Sequence, residues 1–89
     1  MIFEVFAVRD AKAKAYLPPN FLPQAGQAIR SFSDAVLDTG SAFNKHPEDY
    51  SLFRIATFND ESGHFEVCEP ECLITGAEVD AADKKQNQQ

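Results

Sequence analysis

The feature that most constrains the fold is the first apolar run of the chain, Ile2–Val8. It is short and rich in β-branched and aromatic residues, which favours a strand over a helix. Its alternate residues would form two sets, Phe3, Val5 and Ala7 on one face and Ile2, Glu4, Phe6 and Val8 on the other. Because both sets are largely apolar, we expect an inner strand of a sheet.

An amphipathic helix is predicted over residues 24–38. Apolar residues recur there at spacings of three and four, at Ala25, Ala28, Ile29, Phe32, Ala35 and Val36. This spacing makes one apolar stripe on a helix, which must be buried against another element. Pro23 suits the start of such a helix and Gly40 suits its end.

A β-hairpin is predicted for the middle of the chain. Ser51–Phe58 and His64–Glu69 have strand-like composition and flank the turn Asn59–Gly63, in which Gly63 can adopt a positive φ. Strict alternation would place Phe53, Ile55 and Thr57 on one face and Leu52, Arg54, Ala56 and Phe58 on the other. Pro70 should end the second strand, and Cys72–Val79 is a weaker candidate for a further strand.

The remaining segments have less regular patterns. We interpret Arg9–Tyr16 as one or two irregular helical turns and Leu17–Pro23 as extended or turning, because Pro18 and Pro19 cannot continue a helix. Residues 41–50 are expected to be a loop in which Lys45–Tyr50 forms a single helical turn. The fold expected is α+β: a small, mostly antiparallel sheet of three to four strands in the order β-α-β-β-β, with one main helix on one face. Residues 1–79 would be a single domain and residues 80–89 a disordered polar tail.

Charge is distributed unevenly along the 89 residues, whose net charge is −6. Residues 1–30 carry four cations against two acids, whereas residues 31–83 carry two cations against twelve acids. An acidic body repels nucleic acid at long range, so any DNA contact is expected in the basic Arg9–Tyr16 segment.

Two small clusters combine cations with an aromatic ring. The first consists of Arg9, Lys12, Lys14 and Tyr16, and the second consists of Lys45, His46 and Tyr50. Single-stranded nucleic acid is bound by cations along its backbone and by aromatic rings that stack on its bases. The alternative for each tyrosine is partial burial, with its hydroxyl bonded to nearby backbone.

We expect no catalytic, cofactor or metal site. No serine lies in a nucleophile elbow and no glycine-rich phosphate loop is present. Cys68 and Cys72 lack the spacing of a redox motif, and a zinc site would need His46 and His64 from unrelated parts of the chain. The two cysteines are therefore interpreted as unpaired thiols. No run approaches the roughly 20 apolar residues of a membrane span, and the first residues do not resemble a signal peptide. We therefore expect a protein of the cytoplasm without membrane contact.

Two segments carry a family resemblance. They are Asp10–Tyr16, followed by a proline and by Phe21, and Phe43–Phe53, which contains the run Lys-His-Pro-Glu-Asp-Tyr. Between them lies Gly-Gln-Ala-Ile-Arg-Ser-Phe, and after them an acidic turn with a late glycine. Over about residues 1–79 the chain resembles the small nonstructural protein of gokushovirus-type microviruses, which are single-stranded DNA phages.

The resemblance implies a non-enzymatic accessory protein of the host cytoplasm that is absent from the mature virion. Such a protein would act at viral single-stranded DNA replication or packaging, and the acidic balance favours contacts with a host replication protein or a viral protein. One alternative is a direct single-stranded DNA-binding protein. Another is an oligomeric scaffolding protein that associates through an apolar patch. The matching residues are Asp10, Lys12, Tyr16, Lys45, His46, Pro47, Glu48, Asp49 and Tyr50.

Overall fold

A five-stranded antiparallel sheet with helices on one face forms the framework of the protein. The computed structural model describes residues 1–87. Its elements are β1 (Ile2–Asp10), β2 (Ala15–Tyr16), β3 (Asn20–Leu22), α1 (Ala25–Leu37), α2 (Ala42–Lys45), a 3-10 helix (Pro47–Asp49), β4 (Tyr50–Asn59), β5 (Phe65–Thr75) and α3 (Gly76–Asn87). The α+β class and the antiparallel sheet are confirmed. The element order differs from the prediction, because two short strands precede α1.

Strand β1 lies inside the sheet, as its two apolar faces predict. On one side it pairs with β4 along its whole length, from Ile2 opposite Asn59 to Asp10 opposite Tyr50. On the other side it pairs with both β2 and β3, and β5 pairs with β4 at the far edge. The sheet order is therefore β2 and β3, then β1, β4 and β5.

Helix α1 covers one face of this sheet with the predicted stripe. Its buried residues Ala28, Phe32 and Val36 pack in one cluster with Phe6 of β1 and Leu52 of β4. Complete burial of a Phe or Val side chain contributes about 1.5–3 kcal/mol, so this cluster is the main source of stability. The helix spans residues 25–37, within the predicted range.

The segment Arg9–Tyr16 is a tight β-hairpin, so the prediction of helical turns there was wrong. Its turn is fixed by the Asp10 carboxylate, which accepts hydrogen bonds from the backbone N–H groups of Lys12 at 3.0 Å and Ala13 at 3.2 Å. Lys14 adopts a φ of 56° and directs the chain back along β1. Aspartate commonly closes turns in this way, and here that local bond prevails over helix propensity.

Strand β5 continues through Pro70, so the prediction that Pro70 ends the strand was also wrong. In the pairing with β4, Arg54 lies opposite Glu71 and Ala56 opposite Val67. Residues 68–70 therefore have no partner residues in β4. Proline is tolerated in an edge strand where no ladder hydrogen bond is required of it.

Helix α3 occupies residues 76–87, where a strand to Val79 and a polar tail from Asp80 were predicted. The backbone N–H of Glu78 donates to the Thr75 hydroxyl at 3.1 Å, and the N–H of Thr75 donates to the Glu78 carboxylate at 3.0 Å. This reciprocal pair is a capping box, which starts a helix. Val79 is buried in the core cluster and Lys84 pairs with Asp80 at 3.0 Å. Residues 88 and 89 of the predicted tail lie outside the described residues.

Within residues 1–87, no helix combines the length and the apolar character that crossing a membrane requires.

Candidate interaction face

One face of the sheet points away from the helices and carries six aromatic side chains. We call it the open face. It is formed by alternate residues of β1 and by their register partners on the neighbouring strands. Its members are Phe3, Val5, Ala7 and Arg9 of β1, Tyr16, Phe21, Ser51, Phe53, Ala56 and Phe58 of β2–β4, and Phe65, Val67, Cys72 and Thr75 of β5.

A β-bulge brings the aromatic residues of β4 together on the open face. Phe53 pairs with Ala7, Ala56 with Val5 and Phe58 with Phe3, while the register shifts by one residue at Ile55. Strict alternation had placed Phe53 and Phe58 on opposite faces, and this part of the prediction was wrong. The extra residue of a bulge inverts the alternation beyond it.

The aromatic rings of the open face pack against one another. Phe21, Phe58 and Phe65 form a triad with centroid separations of 4.8–5.8 Å, and Tyr16 meets Phe53 edge-on at 5.6 Å. The residues between these two groups, Val5, Ala7 and Ala56, are buried. Because the helices lie on the other side, the rings themselves exclude water from the centre of this face.

A large part of this apolar surface remains exposed to solvent. The exposed fractions are 42% for Tyr16, 42% for Phe21, 56% for Phe65 and 81% for Val67. For side chains of this size, these fractions correspond to about 400 Å² of apolar surface, which is within the range of functional patches. Such a patch is typical of a surface that binds another molecule.

Charge is almost absent from the open face itself. Among its paired positions in the described residues, Arg9 is the one charged side chain, and its guanidinium lies 6.0 Å from the centre of the Tyr16 ring. The paired carboxylates Glu4 and Glu71 lie on the opposite face, where they flank Arg54 at 3.8 Å and 3.3 Å. The acidic balance of the chain therefore does not extend onto the paired positions of the open face.

The first predicted cluster assembles at one end of the open face. Arg9 and Tyr16 are register partners in β1 and β2, and Lys12 and Lys14 are exposed in the turn that joins these strands. Three cations and one exposed ring thus lie within a single hairpin. This geometry suits contact with an anionic or an aromatic group.

The second predicted cluster is divided by the fold. Lys45 ends α2, and His46 is exposed between α2 and the 3-10 helix. Tyr50 packs its ring on Phe43 with centroids 4.4 Å apart, at the margin of the helix-side core. Its ring is therefore a packing element of the core.

His46, Glu48 and Asp49 offer ligand atoms within 4.8 Å of one another. The Nδ1 atom of His46 lies 4.0 Å from the nearest Glu48 carboxylate oxygen, and both side chains are exposed. A closed zinc site has four ligands held by buried neighbours. This trio lies on one short turn with two of its members in solvent, so it matches a solvated ion pair better than a metal centre.

A cleft of about 370 Å³ opens between α1 and the segment that joins β2 to β3. Its walls are mainly apolar and include Phe6, Leu17, Phe32 and Phe43. The polar side chains in its lining are Asn20 and Ser31, so the cleft offers apolar contact and two hydrogen-bonding groups.

The two cysteines are free thiols on the exposed edge strand β5. Partial burial raises the pKa of the Cys72 thiol above its usual value, and the nearby Glu78 carboxylate raises it further. Cys72 is therefore a weak nucleophile at neutral pH.

These features together define a small α+β protein with one helix-covered core and one open aromatic sheet face. The family of Phage ORF5 proteins matches residues 3–79, and the chain therefore belongs to this bacteriophage family. No curated protein and no solved structure matches the chain.

Proposed function

We propose that this phage accessory protein acts through protein contacts made by the open face, without catalysing a reaction. The observation that carries the proposal is the exposed aromatic surface of Tyr16, Phe21, Phe65 and Val67. The centres of protein interfaces are rich in aromatic residues and poor in charge. The open face has this composition in a chain whose net charge is −6.

The stage of action is proposed from the resemblance to gokushovirus-type nonstructural proteins. The proposed site of action is the host cytoplasm, outside the mature virion, during replication or packaging of single-stranded viral DNA. The partner would then be a host replication protein or a viral protein. Membership of the Phage ORF5 family over residues 3–79 is compatible with this role.

The test is to introduce substitutions in the open face into the phage gene for this protein. The quantities measured are the accumulation of single-stranded DNA and the yield of phage particles. Phe65→Ser with Val67→Ser removes the two most exposed apolar side chains of the face. We expect a fall of at least ten-fold in both quantities. The matched control is Leu37→Ser, since Leu37 is 41% exposed on α1, on the other side of the sheet.

The outcome that contradicts the proposal is a normal yield from the Phe65 and Val67 variant at normal protein levels. Circular dichroism of the purified variant must show the native fold, so that loss of yield is not caused by unfolding. A fall that is equal for Leu37→Ser would also contradict it, because general loss of apolar surface would then explain the effect.

A second candidate function is direct binding of single-stranded DNA, which is favoured by the contact of Arg9 with Tyr16 beside Lys12 and Lys14. It requires that a labelled oligonucleotide binds with an affinity that falls steeply with salt. Binding should be lost in Lys12→Ala/Lys14→Ala and retained in Lys84→Ala/Lys85→Ala, which removes the same charge from α3. Absence of binding at low salt would eliminate this candidate.

A further inference from the structure

The two ends of the open face carry charges of opposite sign. At one end, the β1–β2 hairpin holds Arg9, Lys12 and Lys14 with a single carboxylate, Asp10, which bonds to its own turn. We call this the basic end.

The opposite end is the turn between β4 and β5, where Asp60 and Glu61 are exposed. The amino group of Met1 lies 2.7 Å from Asp60 and 3.6 Å from Glu61, so one negative charge remains uncompensated. We call this the acidic end. The open face is therefore an apolar surface between a basic and an acidic end.

A surface with this polarity is complementary to itself. A two-fold axis through the middle of the open face, near Val5 and Ala7, would place the basic end of one copy over the acidic end of the other. The same rotation forms the second contact, as in every isologous dimer. The rings would interdigitate as the inner faces of a β-sandwich do, with strands of the two sheets within about 30° of each other.

We propose that the partner of the open face is a second copy of this chain, and this inference rests on the proposed function of that face. The two patches together would bury about 800 Å² of exposed apolar surface, which is below the roughly 1,200 Å² at which stable specific interfaces begin. The dimer is therefore weak and reversible, with dissociation in the micromolar range. Opposite charges at both ends fix the antiparallel orientation and oppose the parallel one.

The test is sedimentation equilibrium of the full chain over a wide concentration range, combined with charge reversal. Lys12→Glu/Lys14→Glu makes both ends acidic, and Asp60→Lys/Glu61→Lys makes both ends basic. Each variant alone should dissociate at least ten-fold more readily than the original chain. An equimolar mixture of the two should associate again, because each end of one variant then meets an opposite charge.

The control for net charge is Lys84→Glu/Lys85→Glu, which changes the total by the same amount on α3, away from the open face. It should dissociate as the original chain does. Phe65→Ser/Val67→Ser should weaken the dimer without any change in charge.

Each contrary result overturns a distinct statement. A chain that stays monomeric up to about millimolar concentration, far above the micromolar dissociation constant proposed, overturns the dimer. If phage yield still falls with Phe65→Ser/Val67→Ser, the proposed function stands and the partner of the open face is a different protein.

A dimer that forms but does not respond to the charge reversals overturns the antiparallel arrangement. A dimer that Phe65→Ser/Val67→Ser disrupts without effect on phage yield supports the dimer and overturns the proposed function. A monomer whose oligonucleotide binding depends on Lys12 and Lys14 assigns the basic end to single-stranded DNA and overturns the dimer.

Discussion

Gly76 occupies a position where a single methyl group should destabilise the protein strongly. It begins α3 beneath the 3-10 helix, and a Cβ atom added there would lie 2.2 Å from the Pro47 carbonyl oxygen and 3.1 Å from that of Tyr50. Ordinary carbon–oxygen contacts are about 3.3 Å or longer, so the overlap with Pro47 is about 1 Å. Both neighbours are backbone atoms and cannot rotate away, so α3 would have to move and withdraw Val79 from the core.

The expected cost of Gly76→Ala is about 3 kcal/mol, at the upper end for overpacked sites. For a domain of this size it corresponds to a fall of about 12–24 °C in Tm. Urea denaturation followed by circular dichroism measures the free energy of unfolding directly. The control is Gly26→Ala on α1, where an added Cβ meets nothing within 4 Å and where stability should rise by up to about 1 kcal/mol. Surface substitutions typically change the free energy of unfolding by no more than about 0.5 kcal/mol. If the free energy of unfolding of Gly76→Ala differs from that of the original chain by no more than this, the close packing of α3 on Pro47 is refuted.

Three further predictions concern the hairpin turn, the start of α3 and the thiols. Gly63 has a φ of 75°, so Gly63→Ala should cost about 1–2 kcal/mol in urea denaturation, and an unchanged midpoint would contradict that conformation. Glu78→Ala removes one half of the capping box with Thr75 and should cost about 0.3–1.5 kcal/mol by the same assay; a neutral result would mean that the cap does not stabilise α3. In a Cys68→Ser chain, alkylation of Cys72 should accelerate with pH around a midpoint above that of an ordinary cysteine, because burial and Glu78 raise its pKa. Glu78→Gln should lower that midpoint, and no difference between the two chains would exclude the carboxylate as a cause.

The elements that were predicted correctly have signals that extend over many residues. The apolar run Ile2–Val8 and the stripe of α1 each bury a continuous surface, so tertiary packing agrees with the local pattern. The turn Asn59–Gly63 was also predicted, because a glycine at the end of a polar run favours a turn that requires a positive φ. Gly63 has that positive φ.

The errors fall where a single bond or a register shift prevails over periodicity. The bulge at Ile55 reassigned Phe53 and Phe58 to one face, and no local signal in β4 marks it. The open face was therefore missed, although all of its residues had been placed in strands, in extended segments or in the Arg9–Tyr16 segment. For α3, the capping box formed by Thr75 and Glu78 was a readable signal that the strand interpretation of Cys72–Val79 overlooked.

The candidate residues differ in how much the sequence could say about them. The first cluster spans only residues 9–16, so any hairpin or turn in this segment keeps its members together. These members are Arg9, Lys12, Lys14 and Tyr16. Their position beside an aromatic face depends on the pairing of β1 with β4, between residues about 50 positions apart. Such pairing is a property of the whole fold and is not encoded in any short motif.

The full-length pairing of β1 with β4 also determines when the protein can fold during synthesis. Residues 2–10 leave the ribosome before residues 50–59, which are their partner on one side, have emerged. Until then β1 exposes apolar side chains that have only the short strands β2 and β3 as partners. Contacts between distant residues slow folding and leave such segments open to aggregation. A protein with this topology therefore has a vulnerable interval on the ribosome, during which host chaperones have access to the strand that later becomes the centre of the sheet.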